Sequence, residues 1–261
     1  MRRLRRAAGA LTAVLTAAWL SAQAAQQPLA FRLLVTGESR GYLEPCGCAE
    51  FKEGGAARRA TWIDARRKEG PCLYVDNGDL VEGPGRQNQL KAETWAELLK
   101  GMHLAALNLG EGEWALGIEV LSYLQQVCGS PFLCANARTL DGQGIEPFVV
   151  VERAGKKIAL IGVLGDGFLE TARAANPQVE FVTVEEALAG VRPKIAADFP
   201  ILLFHGPAAE AQAVLSRHRW IRLAVAAHEG DAPLPPRKVA GGALLVTAGQ
   251  KSKSVLEVAV E

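Results

Sequence analysis

The order of apolar runs along the chain constrains its fold more than any other feature of the sequence. Short apolar runs that suit buried strands alternate with stretches of helical periodicity, and most of the runs end in polar residues. The first two runs, 31–36 and 72–77, flank a helical stretch at 54–70. A strand, a helix and a strand in this order predict two parallel strands joined by a right-handed crossover.

The later part of the chain adds hairpin patterns. Residues 147–163 contain two strand-like runs joined by a turn at Ala154 and Gly155. The last two runs, 242–250 and 254–261, are predicted to form another antiparallel pair. Parallel strands early and hairpins late indicate a mixed α/β sandwich, with two packed sheets and helices outside them. In such folds the ligand binds beyond the carboxyl ends of the strands.

The N-terminal segment has the pattern of a cleaved signal peptide, predicted over residues 1–24. Four arginines in the first six residues precede a short apolar run and the small-x-small sequence at 22–24. The run is too short to predict a membrane span, so we expect none in the mature chain; a retained anchor is the alternative. The expected location is therefore periplasmic or secreted.

The expected export bears on the net charge of the mature chain and on the redox state of its cysteines. Without residues 1–24 the chain has 25 basic and 28 acidic side chains, a net charge of about −3, which excludes a nucleic-acid partner. In an oxidising compartment five cysteines allow two disulfides and one free thiol. Cys128 and Cys134 flank a short turn sequence and could form one bridge, whereas Cys72 is expected to behave as a small apolar residue.

Polar side chains follow most of the predicted strands and form a set of candidate site residues. In chain order they are Glu38, Ser39, Arg40, Asp76, Asp79, Glu111, Glu113, His205 and His228. Two histidines and several carboxylates at neighbouring strand ends predict a metal or catalytic site, and the alternative is that the histidines are capping or core residues. Carboxylate and imidazole ligands suit Zn, Mn or Fe.

Nine short motifs then occur in the order and spacing of one known domain. They are LVTGESRGYLEP, GGAARRAT, LYVDNGDLVEG, NLGEGEW, PFLCAN, GKKIALIGV, LLFHG, AAHEGDAP and LLVTAGQKSK. Residues 30–261 thereby resemble the metallophosphoesterase domain of the periplasmic 5′-nucleotidase and UDP-sugar hydrolase family, within the calcineurin-like phosphoesterases. The resemblance implies a four-layer sandwich of two mixed β-sheets flanked by helices. The family's C-terminal nucleotide-binding domain is expected to be absent.

The resemblance implies one metal site. Members of the family use two metal ions bridged by an aspartate, and Asp79 matches that aspartate. His205 and His228 match two ligand histidines, and Glu111 stands where the family has a ligand asparagine. Together these four residues are expected to bind one divalent ion, Zn, Mn or Fe.

Other positions depart from the family pattern. The Asp-x-His motif becomes Glu38-Ser39-Arg40, and the last ligand of the second metal site falls at Gly230. The catalytic histidine falls on Gly112, and its aspartate partner falls on Ala115. Contacts of this kind typically contribute about 10²–10⁴-fold to catalysis. The family's two-metal mechanism is therefore not expected to transfer.

Cys46 and Cys48, separated by Gly47, leave three alternatives open. They could form a reversible dithiol pair, contribute thiolate to a soft metal site, or belong to a structural loop. The sequence Leu-Glu-Pro-Cys-Gly-Cys resembles a divergent subgroup that we associate with respiratory and cytochrome partners.

Three functions remain compatible with these residues. The first is a divergent, metal-dependent hydrolase of phosphate esters or nucleotides, in which activated water attacks a phosphate held by Arg40. Glu113 or Glu38 would then be the general base. The second is a non-hydrolytic metal-binding or redox protein that uses Cys46 and Cys48 with a cytochrome partner. The third is a scaffold without metal.

Overall fold

Two six-stranded mixed sheets form the centre of the fold in the computed structural model, which describes residues 30–45, 52–139, 144–239 and 241–260. The strands are β1 (Phe31–Thr36), β2 (Cys72–Asp76), β3 (Ala106–Asn108), β4 (Phe132–Leu133), β5 (Ala137–Thr139), β6 (Ile145–Glu146), β7 (Phe148–Arg153), β8 (Lys156–Leu164), β9 (Val179–Phe181), β10 (Phe199–His205), β11 (Leu223–Ala226), β12 (Arg237–Lys238), β13 (Leu244–Thr247) and β14 (Leu256–Val260). The α-helices are α1 (Ala56–Glu69), α2 (Arg86–Gly101), α3 (Glu111–Trp114), α4 (Ile118–Cys128), α5 (Leu169–Ala175), α6 (Val184–Val191) and α7 (Ala208–Arg217). Short 3₁₀ turns span Asp166–Phe168 and Arg192–Lys194.

The first sheet has the strand order β14-β1-β2-β3-β4-β6. In this sheet β1, β2, β3, β4 and β6 pair in parallel, and only β14 is antiparallel to its neighbour. Helix α1 connects β1 to β2, which confirms the predicted strand, helix and parallel strand. The parallel arrangement brings the loops that follow β1, β2 and β3 to one edge of the sheet.

The second sheet has the order β12-β13-β11-β10-β8-β7. Strands β8, β10, β11 and β13 are parallel, and β7 and β8 form the predicted hairpin. The predicted pairing of the last two strands is wrong. Strand β13 pairs with β11, whereas β14 pairs with β1 in the other sheet. Both strands are apolar enough for a sheet, and local periodicity does not specify which sheet accepts each one.

Apolar side chains fill three layers of core. One cluster lies between the sheets and includes Leu33, Val75, Leu160 and Leu203, all fully buried. A second cluster packs α1, α2 and α4 against the first sheet, and a third packs α6 and α7 against the second. The resulting order of layers is helix, sheet, sheet, helix, which confirms the predicted four-layer architecture.

Two buried asparagines join the sheets near the carboxyl ends of their strands. Asn108 Nδ2 lies 2.9 Å from Leu203 O, 3.1 Å from Val163 O and 3.0 Å from Asn77 Oδ1. Asn77 Nδ2 donates to Phe204 O at 3.1 Å and lies 3.2 Å from Val225 O. These bonds satisfy polar groups inside the core and fix the two sheets relative to each other at the edge that carries the candidate site.

Cys128 and Cys134 do not form the bridge that their spacing allowed. Both are buried and free, and Cys134 Sγ contacts Asn136 Oδ1 at 3.3 Å. Burial raises the pKa of the Cys134 thiol to about 12, despite nearby backbone hydrogen bonds that lower it. Cys72 is free and half-buried at the start of β2.

Several sequence predictions lie outside the described residues. They concern the signal peptide at 1–24 and the pair Cys46 and Cys48. Among the helices that the structure describes, none combines the length and hydropathy that crossing a membrane requires.

Candidate metal centre

Four of the predicted site residues meet at the carboxyl edge of the two sheets. Asp79 follows β2, Glu111 begins α3 after β3, His205 ends β10, and His228 follows β11. One ligand atom from each residue lies within 4.8 Å of the corresponding atoms of the other three. The two sheets therefore contribute two residues each to a single cluster of metal-ligand type.

Short distances join the four side chains. His205 Nε2 lies 2.9 Å from Glu111 Oε2 and 3.5 Å from Asp79 Oδ1. His228 Nε2 lies 3.0 Å from His205 Nε2 and 3.4 Å from Glu111 Oε1. His205 is fully buried, and Glu111 and His228 are partly exposed, so the cluster faces solvent on one side only.

The hydrogen bonding of His205 shows which ligand atom faces the cluster. Its Nδ1 lies 2.5 Å from the backbone oxygen of Asn77, which can only accept, so Nδ1 carries the proton. In the neutral ring Nε2 then presents a lone pair to Glu111 Oε2, a buried oxygen that has no hydrogen-bond partner among the described residues. Two acceptors facing each other require a proton or a cation between them, and the donor set fits a divalent ion.

Electrostatics favour positive charge inside the cluster. Burial alone would lower the pKa of His205, but the carboxylates of Asp79 and Glu111 raise it well above its ordinary value. Burial likewise opposes ionisation of Glu111, but His205 and His228 outweigh it and lower its pKa. An imidazolium proton or a metal ion would satisfy the same charge requirement.

Several loops at this edge of the fold have a strained backbone. Glu38, Arg40, Asp79 and His228 have φ values of 47°, 50°, 55° and 60°, in the left-handed region that non-glycine residues rarely adopt. Such conformations cost on the order of 1–3 kcal/mol each and persist where the surrounding structure determines them. The loops that carry the candidate site residues are therefore held in specific, unfavourable conformations.

The predicted catalytic residues Glu38 and Arg40 pair with each other. Arg40 Nη2 donates to Glu38 Oε1 at 2.9 Å, and Arg40 Nη1 lies 3.4 Å from Glu82 Oε1. Glu38 Oε2 accepts from the backbone N–H of His228 at 3.0 Å. Both Glu38 oxygens are thus engaged, which disfavours a role for Glu38 as a free general base.

Arg40 lines a cleft of about 310 Å³ beside the cluster. Asp79 and Glu111 line the same cleft, together with Gly112, Ala115 and Thr171. The Arg40 guanidinium, itself paired with Glu38 and Glu82, therefore lies in the cleft beside two of the four ligand residues.

Glu113 does not occupy the position expected of a general base. It is fully buried, and its oxygens accept the backbone N–H groups of Asp79, Leu80 and Gly110. Burial and the charge of Asp79 raise the pKa of Glu113 to about 8, against the opposing effect of the Gly110 and Asp79 amides. Glu113 lies on the face of α3 that packs inward, which the sequence could not specify because α3 has only four residues.

The structure explains why position 112 has no space for a residue larger than glycine. A Cβ at this position would lie 1.9 Å from Val81 O and 3.0 Å from Asp79 Oδ1. The present backbone therefore has no room for a side chain at the position where the resemblance implies a catalytic histidine. Gly230 has φ of 105°, and a Cβ added there would have nothing within 4 Å, so space does not restrict it in the same way.

Two residues at the site were not predicted. Asn77 orients His205 through its backbone oxygen, and the ring of Phe168 stacks on His228 with centroids 4.7 Å apart and planes 24° apart. Asn77 is the polar residue that ends the predicted run 72–77, so its position at a strand end could have marked it as a candidate as well. Phe168 lies in a 3₁₀ turn that carries no such signal.

No family model matches the chain. Among curated proteins it is similar to a 5′-nucleotidase of Vibrio cholerae serotype O1, with 28% identity over 136 residues, 49% of this chain and 24% of that protein. It is also similar to the snake venom 5′-nucleotidase of Crotalus adamanteus, with 27% identity over 189 residues, 67% of this chain and 32% of that protein. The chain spans about a quarter to a third of the length of these curated relatives.

Solved structures show the same fold. The 5′-nucleotidase precursor from Thermus thermophilus matches with a TM-score of 0.74 and 22% identity, covering 88% of this chain and 51% of the other. A calcineurin-like phosphoesterase from Bacillus subtilis matches with a TM-score of 0.70 and 20% identity, covering 88% and 85%. The chain has the calcineurin-like metallophosphoesterase fold and is similar in sequence to 5′-nucleotidases over part of that domain.

Proposed function

We propose that this protein is a metal-dependent hydrolase of small phosphate esters, with nucleotides as the favoured substrate class. The observation that carries the proposal is the cluster of Asp79, Glu111, His205 and His228 at the carboxyl edge of a metallophosphoesterase fold. Similarity to 5′-nucleotidases supports phosphate esters as substrates. The chain would bind one divalent ion, Zn, Mn or Fe, because these four residues combine two carboxylates with two imidazoles.

A divalent ion held there would supply Lewis-acid polarisation of a phosphoryl group and would lower the pKa of water. The protein would supply the geometry: Asn77 holds the ring of His205, and Phe168 packs on the ring of His228. Arg40 would contribute fixed positive charge beside the phosphate. Neither Glu38 nor Glu113 is proposed as the proton acceptor, because the oxygens of both are already engaged.

We also propose that the protein acts outside the cytoplasm, in the periplasm or secreted. The arginine-rich start, the short apolar run and the small-x-small sequence at 22–24 support this location.

A redox function of Cys46 and Cys48 with a cytochrome partner stays a prediction of the sequence. Its test is whether labelling of these two thiols changes reversibly with the ambient potential.

Hydrolysis is tested by comparing the wild type with His205→Ala and His218→Ala on AMP and p-nitrophenyl phosphate in the presence of Mn²⁺, Zn²⁺ or Co²⁺. His218 is the matched control because it directly follows α7 as its C-cap residue and contacts Glu185, away from the cluster. We expect at least a 100-fold loss of activity in His205→Ala and little change in His218→Ala. A wild type that hydrolyses neither substrate with any of the three ions would refute the proposal for these substrate classes.

A further inference from the structure

Glu113 joins two loops that each carry a carboxylate of the candidate metal centre. Glu113 Oε2 accepts hydrogen bonds from the backbone N–H groups of Asp79 at 2.7 Å and Gly110 at 2.9 Å. Its Oε1 accepts one from the backbone N–H of Leu80 at 2.6 Å. Gly110 directly precedes Glu111 in the chain. One buried carboxylate therefore holds the loop of Asp79 and the start of the helix that presents Glu111.

A further hydrogen bond joins the same two loops with the donor and acceptor exchanged. The backbone N–H of Gly112 donates to Asp79 Oδ1 at 2.8 Å, next to the bonds that Glu113 receives. Asp79 has φ of 55°, so the bond from its backbone N–H to Glu113 helps to hold a conformation that the chain would otherwise leave. The position of the Asp79 carboxylate thus depends on contacts to α3 from both its side chain and its backbone.

Helix capping alone does not account for this arrangement. A capping box uses the N3 carboxylate for the N–H of the N-cap residue, and here that bond is the one from Gly110. The other two bonds, from Asp79 and Leu80, leave the helix and serve the loop after β2. Glu113 has no exposed surface with which to contact substrate.

We infer that Glu113 is a positioning residue that sets the separation of Asp79 and Glu111. Its role as support for metal ligands rests on the proposed function. The three hydrogen bonds by which Glu113 joins the two loops, called the clamp below, do not depend on metal. Glu113→Gln is the sharpest variant, because it keeps the volume of the side chain but replaces one acceptor oxygen with an N–H₂ group. That group would face backbone N–H donors, so at least one of the three bonds would be lost.

The first measurement is a titration of the full-length protein with Co²⁺, followed by visible absorption. We expect Glu113→Gln to bind Co²⁺ about 10–100-fold more weakly and to show a changed absorption spectrum, since outer-shell partners of metal ligands have effects of this size. Asp198→Asn is the matched control. Asp198 Oδ2 also accepts a backbone N–H, from Lys157 at 2.8 Å, but at the opposite end of β8. A folded Glu113→Gln protein with wild-type Co²⁺ affinity and spectrum would overturn the inference.

The second measurement is amide hydrogen exchange of the metal-free protein. We expect faster exchange in Glu113→Gln at Asp79, Leu80 and Gly110, and wild-type exchange in the strands around them. If Glu113→Gln does not fold, Glu113→Asp takes its place, because it keeps a carboxyl group with two acceptor oxygens but is one methylene group too short to reach both loops. Unchanged exchange at these amides in the folded variant would overturn the clamp. A wild type that binds no Co²⁺ would instead count against the proposed function, and the exchange data would still decide the clamp.

Discussion

At the residue scale, the site depends on backbone positions that tolerate little change. Asp79 and Gly112 lie against each other, and Gly112 N donates to Asp79 Oδ1 at 2.8 Å. The sequence predicted that Asp79 and Glu111 would be near each other, because the carboxyl ends of parallel strands converge. It could not predict the role of Glu113, since a spacing of two residues in a short helix does not tell which side chain faces the cleft.

Gly112→Ala is expected to destabilise the protein by about 1–3 kcal/mol, the usual cost of overpacking. The reason is that the added Cβ would lie 1.9 Å from Val81 O, a backbone atom that can move only with its loop. Urea unfolding monitored by circular dichroism measures the change. Gly190→Ala in α6 is the control, because nothing lies within 4 Å of its Cβ and alanine favours helix by about 0.5–1 kcal/mol. Equal stability of Gly112→Ala and the wild type would show that this loop is not packed as described.

Cys128 and Cys134 are expected to resist thiol reagents in the native protein at neutral pH. Both are buried, and a pKa of about 12 for Cys134 leaves almost no reactive thiolate there. Peptide mapping after alkylation, with and without urea, measures this directly, and half-buried Cys72 gives an internal comparison. Both thiols should label after unfolding without prior reduction. A disulfide-linked peptide containing both cysteines would contradict the structure.

At the scale of elements, the parallel strands were predictable, and the partners of the last two strands were not. Strand β1 was predicted as residues 31–36 and is observed as Phe31–Thr36, because its apolar run is continuous and ends in polar residues. Strands β13 and β14 have equally clear patterns, yet they belong to different sheets. The choice depends on which sheet edge is free in the folded chain, and local sequence does not encode that.

The asparagine pair that joins the sheets is expected to contribute strongly to stability. Asn108→Ala would remove a side chain whose Nδ2 lies within 3.1 Å of three acceptors and would take this donor away from Asn77 Oδ1 and two buried backbone carbonyls. We expect a loss of about 3 kcal/mol, in the range for unsatisfied buried polar groups. Asn88→Ala on α2 is the control, with an expected change within about 0.5 kcal/mol. Chemical denaturation compares the two variants, and similar values for both would contradict a joining role for Asn108.

At the scale of the whole molecule, the four layers bring together residues that lie far apart in the sequence. Asp79 and Glu111 come from the first sheet, and His205 and His228 come from the second, so the complete cluster exists only when both sheets are packed. A metal ion that binds this native cluster would stabilise the packed sheets by mass action. Metal content therefore tests the fold and the site together.

The most direct measurement is elemental analysis of the mature protein, purified without chelator, together with its melting temperature before and after chelation. We expect about one divalent ion per chain, a lower melting temperature after chelation, and a loss of bound metal in His205→Ala. His218→Ala should keep the metal. A wild type that contains no metal, takes up none from Zn²⁺, Mn²⁺ or Fe²⁺, and melts at the same temperature with and without chelator would contradict the assignment of Asp79, Glu111, His205 and His228 as a metal centre.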